Sequence, residues 1–286
     1  QTSTNVYTAQ VPMSACGTPV NYYFEAKSTT NVIVTSPANA PTSFNTTTGG
    51  YGETILSSDT FESAGAWTVG ATGDLATTGL WTRVDPVGTL AQPEDDHTVA
   101  GTLCYVTGQG VVGGTNGAAD VDGGATTLTS PIFSAIGEGV RLSYWRWYSN
   151  DKGGSPNADS MPIDISNDNG VNWVSLELVT ENANAWVLKS FLIADFLTPT
   201  ATMKVRFVAR DLSAGSLIEA GVDDFQVSAL NCTPPFVPAD LNQDNLVNGI
   251  DMAILLGAWG SSGGDVNNDG NTDGTDLTLL LAGWTG

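Results

Sequence analysis

Near its C-terminal end the chain writes one twelve-position pattern twice, 25 residues apart. The first copy sets oxygen-bearing side chains at Asp240, Asn242, Asp244, Asn248 and Asp251, and the second sets them at Asp265, Asn267, Asp269, Asp273 and Asp276. These are positions 1, 3, 5, 9 and 12 of each copy, and position 7, Leu246 or Asn271, adds a backbone carbonyl. Alternating oxygens let one short loop wrap a hard cation with six or seven ligands, the spacing of a calcium loop. Position 6 needs a left-handed turn. Gly270 supplies it in the second copy and Asn245 in the first, so the first loop is expected to be the more strained. Each loop runs into an apolar stretch, Met252 to Trp259 and Leu277 to Trp284, with Leu, Ile and Trp at helical spacing. Two short helices that bury against each other are expected, with folding coupled to the metal because so small a unit has little core.

These copies follow the EF-hand ligand spacing and resemble dockerin repeats, which also carry Asp rather than Glu at position 12. The resemblance implies two calcium ions and a docking partner of the cohesin kind. The spacer Gly260–Gly264 is shorter than usual for dockerins, so an intramolecular or homotypic partner is expected at least as strongly.

The chain has 286 residues, with 30 acidic against 9 basic and a net charge of −21. That balance cannot neutralise phosphates, which argues against nucleic acid and against anionic membrane surfaces. Bound cations would relieve the self-repulsion, although acidity alone also keeps a secreted protein soluble. No apolar run approaches the roughly 20 residues of a membrane span. With no initiator Met and no signal peptide, Gln1 reads as following a processing site or as the start of a fragment. Cys16, Cys104 and Cys232 make an odd set, and their spacing assigns no pairing.

Three parts and a linker follow from the pattern. Residues 1–49 carry the strand-like runs Asn5–Val11, Val20–Ala26 and Val32–Thr35, and the segment Ser36–Pro41 leads out. "YYFEA" and "SPANAP" resemble the closing strands of an immunoglobulin or fibronectin-III domain. Such a partial sandwich would leave strand edges free to pair with its own next domain or with another chain. Residues 50–231 hold many short β-compatible runs between Gly, Asn, Asp and Pro, which points to an antiparallel sandwich. Residues 232–238 form a Pro-rich linker, and 239–286 hold the repeats.

The middle part carries "GLWTRVDPVGT", "QPEDDHT", "GTLCYVTGQG", "DVDGGATTLTSP" and "SYWRWYSND". It resembles the jelly-roll domains of the MAM and carbohydrate-binding-module kind. The nearest resemblance is to a jelly roll of secreted planctomycete-type bacterial proteins, including some zinc carboxypeptidases, in which a fibronectin-like domain precedes it and dockerin-like repeats follow. The resemblance implies no specific activity.

Several acids of the middle part are further candidates for calcium. Asp95 and Asp96 sit beside His97, the only histidine, with Asp120, Asp122 and Asp151 downstream. Asp59 and Glu62 should lie on the first strand and Asp223 and Asp224 on the last, where the resemblance implies a structural cation. The alternative for all of them is Asx residues capping their own turns. No nucleophile or acid–base pair stands out, so catalysis is not expected. In Tyr144–Tyr148, Trp145 and Trp147 share one face, and Tyr144, Arg146 and Tyr148 share the other. Exposed, the Trp face would be a sugar-stacking platform. Buried, it would be sandwich core, which is the favoured expectation.

The expected protein is mainly β, an antiparallel jelly-roll sandwich with a partial N-terminal segment and a small helical calcium module. It is expected to be secreted or at the cell surface. A non-catalytic assembly subunit, held as a homo-oligomer or polymer by calcium and β edges, is the first functional expectation. A polysaccharide-binding or targeting portion of a larger secreted hydrolase is the second.

Overall fold

The computed structural model describes residues 16–115, 117–212, 215–233 and 236–285, so the expected strand Asn5–Val11 lies outside the described residues. The chain divides into two compact units, the first ending at Leu230 and the second beginning at Asn231.

The first unit opens with two narrow ribbons. β1 (Pro19–Tyr22) and β2 (Phe24–Lys27) split the expected run Val20–Ala26 at Tyr23, and β3 (Ile33–Ser36) and β4 (Asn45–Thr48) return antiparallel. β2 pairs β3 and β1 pairs β4, so the two halves of the run take different partners. Residues between Ser36 and Asn45, including Pro37 and Pro41, leave the ladder there, because proline offers it no N–H. Phe24, Ile33 and Val34 are all exposed in the second ribbon.

Eleven strands follow: β5 (Glu53–Asp59), β6 (Thr68–Val69), β7 (Trp81–Val84), β8 (Cys104–Thr107), β9 (Gly124–Thr129), β10 (Arg141–Gly153), β11 (Met161–Ser166), β12 (Val174–Val179), β13 (Ala183–Leu192), β14 (Lys204–Asp211) and β15 (Ser216–Leu230). A six-stranded sheet runs β13-β10-β15-β8-β7, with β5 beside β8 on the same edge of β15. A five-stranded sheet runs β12-β11-β14-β9-β6. All pairings are antiparallel. Alternate residues of β14, Val205, Phe207 and Ala209, are fully buried, as are Met161, Ile163 and Ile165 of β11. They meet Leu142, Tyr144, Tyr148, Ile218, Ala220 and Val222 of the other sheet in one core. Each Val, Leu, Ile, Met or Phe among them stabilises the fold by about 1.5–3 kcal/mol through removal from water.

This places the core on the opposite face of β10 from the expected one. Tyr144 and Tyr148 point between the sheets, and the Trp face points outward. Trp147 is nevertheless fully buried, clustered on that side with Cys104 and Val106 and packed against the partly buried Val84 and Trp186.

In the second unit, α1 (Gly249–Gly257) and α2 (Gly274–Ala282) each start on a capping box. Asn248 accepts from Ile250 N while Asp251 accepts from Asn248 N. Asp273 accepts from Thr275 N while Asp276 accepts from Asp273 N. Ala239, Val247, Leu255, Val266 and Leu280 form its small core. Cys16 and Cys232 are each disulfide-bonded, and Cys104 is a free, buried thiol, which resolves the odd count. Among the described residues, no helix is long and apolar enough to cross a membrane.

Candidate binding groove and acid clusters

A bulge in β15 builds the outward face of the six-stranded sheet. Ser143 pairs with Gln226 but Trp145 pairs with Asp223, so one extra residue of β15 is fitted between. Asp224 absorbs it at a φ of +46°. Asp223 and Asp224 then both serve the connection 85–103. Asp223 Oδ2 accepts from His97 N at 2.7 Å and Thr98 N at 3.2 Å, and its Oδ1 accepts from Asp224 N. Asp224 Oδ2 accepts from His97 Nδ1 at 2.6 Å, and its Oδ1 accepts from the Thr98 hydroxyl at 2.7 Å. A carboxylate acceptor sets the histidine tautomer, with the proton on Nδ1.

The other acids expected around this point divide their work. Glu62 Oε1 accepts from Thr102 N and Leu103 N, and Asp59 accepts from Phe61 N and Trp67 Nε1. Asp96 lies close to Glu62, since a side chain at Gly101 would strike both carboxylates. Burial first, then the charge of Glu62, pushes the Asp96 carboxyl above its ordinary range, and its Oδ2 is buried without a partner. Asp95 is exposed, and its carbonyl accepts from Trp186 Nε1.

Asp120, Asp122 and Asp151 do not join that group through any hydrogen bond. Asp122 accepts from the Thr78 hydroxyl, and Asp151 pairs with Lys152 at 2.6 Å. Asp120 is buried and pushed up to about 6, by burial and then by Asp122. The backbone bond from Val121 N to Ile218 O brings its strand end beside Glu219, an acid the sequence reading passed over. Burial and then Asp120 push Glu219 up to about 7. Its one signal in the sequence was an acid set within an otherwise apolar run, Ile218-Glu219-Ala220. Among the described residues, no three His, Cys, Asp or Glu side chains converge as a metal-holding group.

Beside Trp145 lies a groove of about 380 Å³. Ser143, Gln226 and Ser58, side by side on the sheet, make its floor, and Thr60, Leu188, Asp224 and Phe225 complete its lining. Ser143, Gln226 and Ser58 are register partners on three adjacent strands, which is why their side chains share one face. Trp145 is half-buried, and Leu188, its partner on β13, is 51% exposed. The His97 ring stacks on Trp145 with centroids 3.6 Å apart and planes 19° off parallel, and it meets Trp186 edge-on at 6.3 Å. Of the groove residues, the sequence singled out Trp145 and Asp224. The hydroxyls and Gln226 come from separated strands and carry no local signal.

The two terminal loops share one hydrogen-bond pattern. Asp240 accepts from Asp244 N and Asn245 N, and Asp265 accepts from Asp269 N and Gly270 N. Asp251 accepts from Leu241 N and Asn242 N, and Asp276 from Val266 N and Asn267 N. Asn242 and Asn267 donate to Asp244 and Asp269 at 2.9 Å. Position 6 is left-handed in both, with φ of +70° at Asn245 and +96° at Gly270. Leu246 and Asn271 occupy position 7, where the backbone carbonyl would be the ligand. From Ala239 to Gly286 there are seven aspartates and no Lys, Arg or His.

No protein-family model matches the chain, and no curated protein sequence matches it either. Among solved structures, it is similar to the K1 cleaved adhesin domain of Lys-gingipain from Porphyromonas gingivalis, with 18% identity over 60% of this chain and 96% of that one and a TM-score of 0.37. It is also similar to TmCBM61, solved with β-1,4-galactotriose, with 14% identity over 57% and 87% of the two chains and a TM-score of 0.34. A xylan-binding domain from CBM 22 gives 14% identity over 63% and 97%, with a TM-score of 0.34.

Proposed function

We propose that the first unit binds a neutral polysaccharide in the groove beside Trp145 and that the second unit is folded by two calcium ions. The observation that carries the first statement is a half-buried indole lining one groove with hydroxyl and amide groups. A pyranose ring offers an apolar C–H face to an indole and hydroxyls to Ser, Thr, Gln and Asp, and this groove supplies both kinds of contact. Asp224 is the single charged residue of the lining, and the chain carries −21, so an anionic glycan would be repelled. We read the groove as a binding site and not a catalytic one, because glycoside hydrolysis uses a pair of carboxyls across the scissile bond. Calorimetry against a panel of neutral polysaccharides tests it. Binding in the micromolar to millimolar range, lost in Trp145→Ala, is expected. Equal behaviour of parent and Trp145→Ala across the panel sinks the reading.

For the second unit, seven carboxylates without one basic residue call for a counter-cation, and the repeated loop geometry supports calcium. Asp240, Asn242, Asp244, Asn248, Asp251 and the Leu246 carbonyl would hold the first ion. Asp265, Asn267, Asp269, Asp273, Asp276 and the Asn271 carbonyl would hold the second. The disulfide-bonded Cys16 and Cys232 fit an oxidising, extracellular setting.

Assembly of copies into a filament or layer is a second reading. It is favoured by the ribbon of β2 and β3, in which Phe24 is 59% and Val34 64% exposed. Electron microscopy with and without chelator decides it: monodisperse particles at high concentration in both conditions rule assembly out.

A further inference from the structure

Trp145 does not stand free in the groove, because one face of its indole is already taken. We infer that His97 is the positioning residue of the glycan site: it holds Trp145 as a one-sided platform, so the groove reads a neutral chain through a single stacked sugar ring. The inference rests on the groove reading above.

His97 lies on the Trp186 side of Trp145, in near-parallel contact at 3.6 Å and edge-on to Trp186 at 6.3 Å. The floor of the groove, Ser143 and Gln226, lies two residues the other way along β10 and its partner. Trp145 lines the groove beside Ser143 and Gln226, so what it offers a ligand is the indole surface that His97 does not cover.

His97 is itself fixed at two points, and its neighbour Thr98 adds a third. Its ring N–H goes to Asp224 at 2.6 Å, its backbone N–H goes to Asp223 at 2.7 Å, and the hydroxyl of its neighbour Thr98 goes to Asp224 at 2.7 Å. Both carboxylates come from the bulge that also shapes the groove. The same distortion of β15 thus sets the floor of the site and, through His97, the ring above it. A tryptophan held this way pays little ordering entropy when a sugar packs on its open face, which favours affinity at a shallow site. One open face also means one stacking subsite, so lengthening an oligosaccharide beyond the groove should add little.

The test uses the full chain labelled with 5-fluorotryptophan, and the Trp145 resonance is assigned by its loss in Trp145→Phe. In His97→Ala the Trp145 signal should shift and broaden, and the dissociation constant for the best neutral polysaccharide should rise roughly three- to tenfold. His97→Phe keeps a ring on the indole and should restore both the sharp signal and most of the affinity. A merely structural role for the connection would not be rescued by a ring that cannot bond to Asp224. Binding abolished by Trp145→Ala but unchanged in His97→Ala, with an unchanged fluorine signal, overturns the inference and leaves the groove reading intact. No binding by the parent overturns the groove reading and the single-ring claim with it. The fluorine signal then still decides the positioning role, and an unchanged Trp145 line in His97→Ala overturns that as well.

Discussion

Arg146 of β10 reaches across the sandwich to Glu177 of β12, tying the two sheets together through a guanidinium with no solvent exposure. Nε donates to Glu177 Oε2 at 3.2 Å, the Tyr144 hydroxyl donates to the same oxygen at 3.1 Å, and Lys189 adds an ion pair at 3.0 Å. Burial alone would raise the Glu177 carboxyl. The hydrogen bond and charge of Arg146, with Lys189, outweigh it and hold the group below its ordinary range. Arg146→Ala should therefore destabilise the first unit by about 3–5 kcal/mol, because it removes the buried partner of Glu177 and leaves that carboxylate to Lys189 and the Tyr144 hydroxyl. Denaturant unfolding of Arg146→Ala beside Arg146→Met/Glu177→Leu checks this, and the double change should cost much less. The Glu177 contribution should persist at neutral pH and fade as pH falls through its lowered folded value.

Glu219 predicts the opposite sign. Its folded value of about 7 lies above the ordinary carboxylate range, from burial first and then Asp120, with Lys152 opposing. The folded state therefore holds the proton more tightly than the unfolded one. The stability this gives is complete below about pH 4, declines as pH rises toward 7, and is gone above it. Glu219→Gln should flatten that limb of the stability curve, removing about 3 kcal/mol of pH dependence. Thermal melts from pH 4 to 8 measure it, and parallel curves for parent and variant would refute the assignment.

Where pattern and structure agree, local chemistry decides. The turn at Asn169 and Gly170 is of this kind, since both residues adopt the positive φ that Asn and Gly tolerate best. The two helices were legible from the Leu, Ile and Trp spacing after each loop, and they begin inside the loops, at Gly249 and Gly274, because Asn248 and Asp273 in the ninth position cap them. The groove was not. Period-two alternation sorts Trp145 from Tyr144 but cannot say which face meets the other sheet, since both are aromatic. That choice is made by β11 and β14, which are distant in sequence. Nor does any local pattern announce the bulge at Asp224, on which the pairing of Trp145, His97 and Gln226 depends.

Calcium should be the larger part of the second unit's stability, since its buried apolar core is five residues. Chelation is expected to remove the far-UV signal of α1 and α2 and leave the β signal of the first unit. Asn245 occupies the left-handed position that Gly270 fills in the other loop. Asn245→Gly should therefore relieve strain and stabilise the calcium-loaded loop, by up to about 1 kcal/mol. Calcium titrations followed by circular dichroism check both, and a helix signal indifferent to chelator would refute the coupling.

Trp145 and Trp147 separate binding from stability, although they stand two residues apart on one face. Trp147 has no exposed surface and fills the space between Cys104, Val106 and the partly buried Trp186, with its indole against Gly221. Trp147→Ala should leave a cavity costing about 3–5 kcal/mol, and any loss of ligand binding would follow from that destabilisation. Trp145 is half-buried at the groove, so Trp145→Ala should cost less stability but remove the stacking face. Measured together by denaturant unfolding and polysaccharide calorimetry, the pair should split, with Trp147→Ala moving the unfolding midpoint and Trp145→Ala the dissociation constant. If Trp145→Ala moves only the midpoint, the indole is core and the groove has lost its ligand-facing ring.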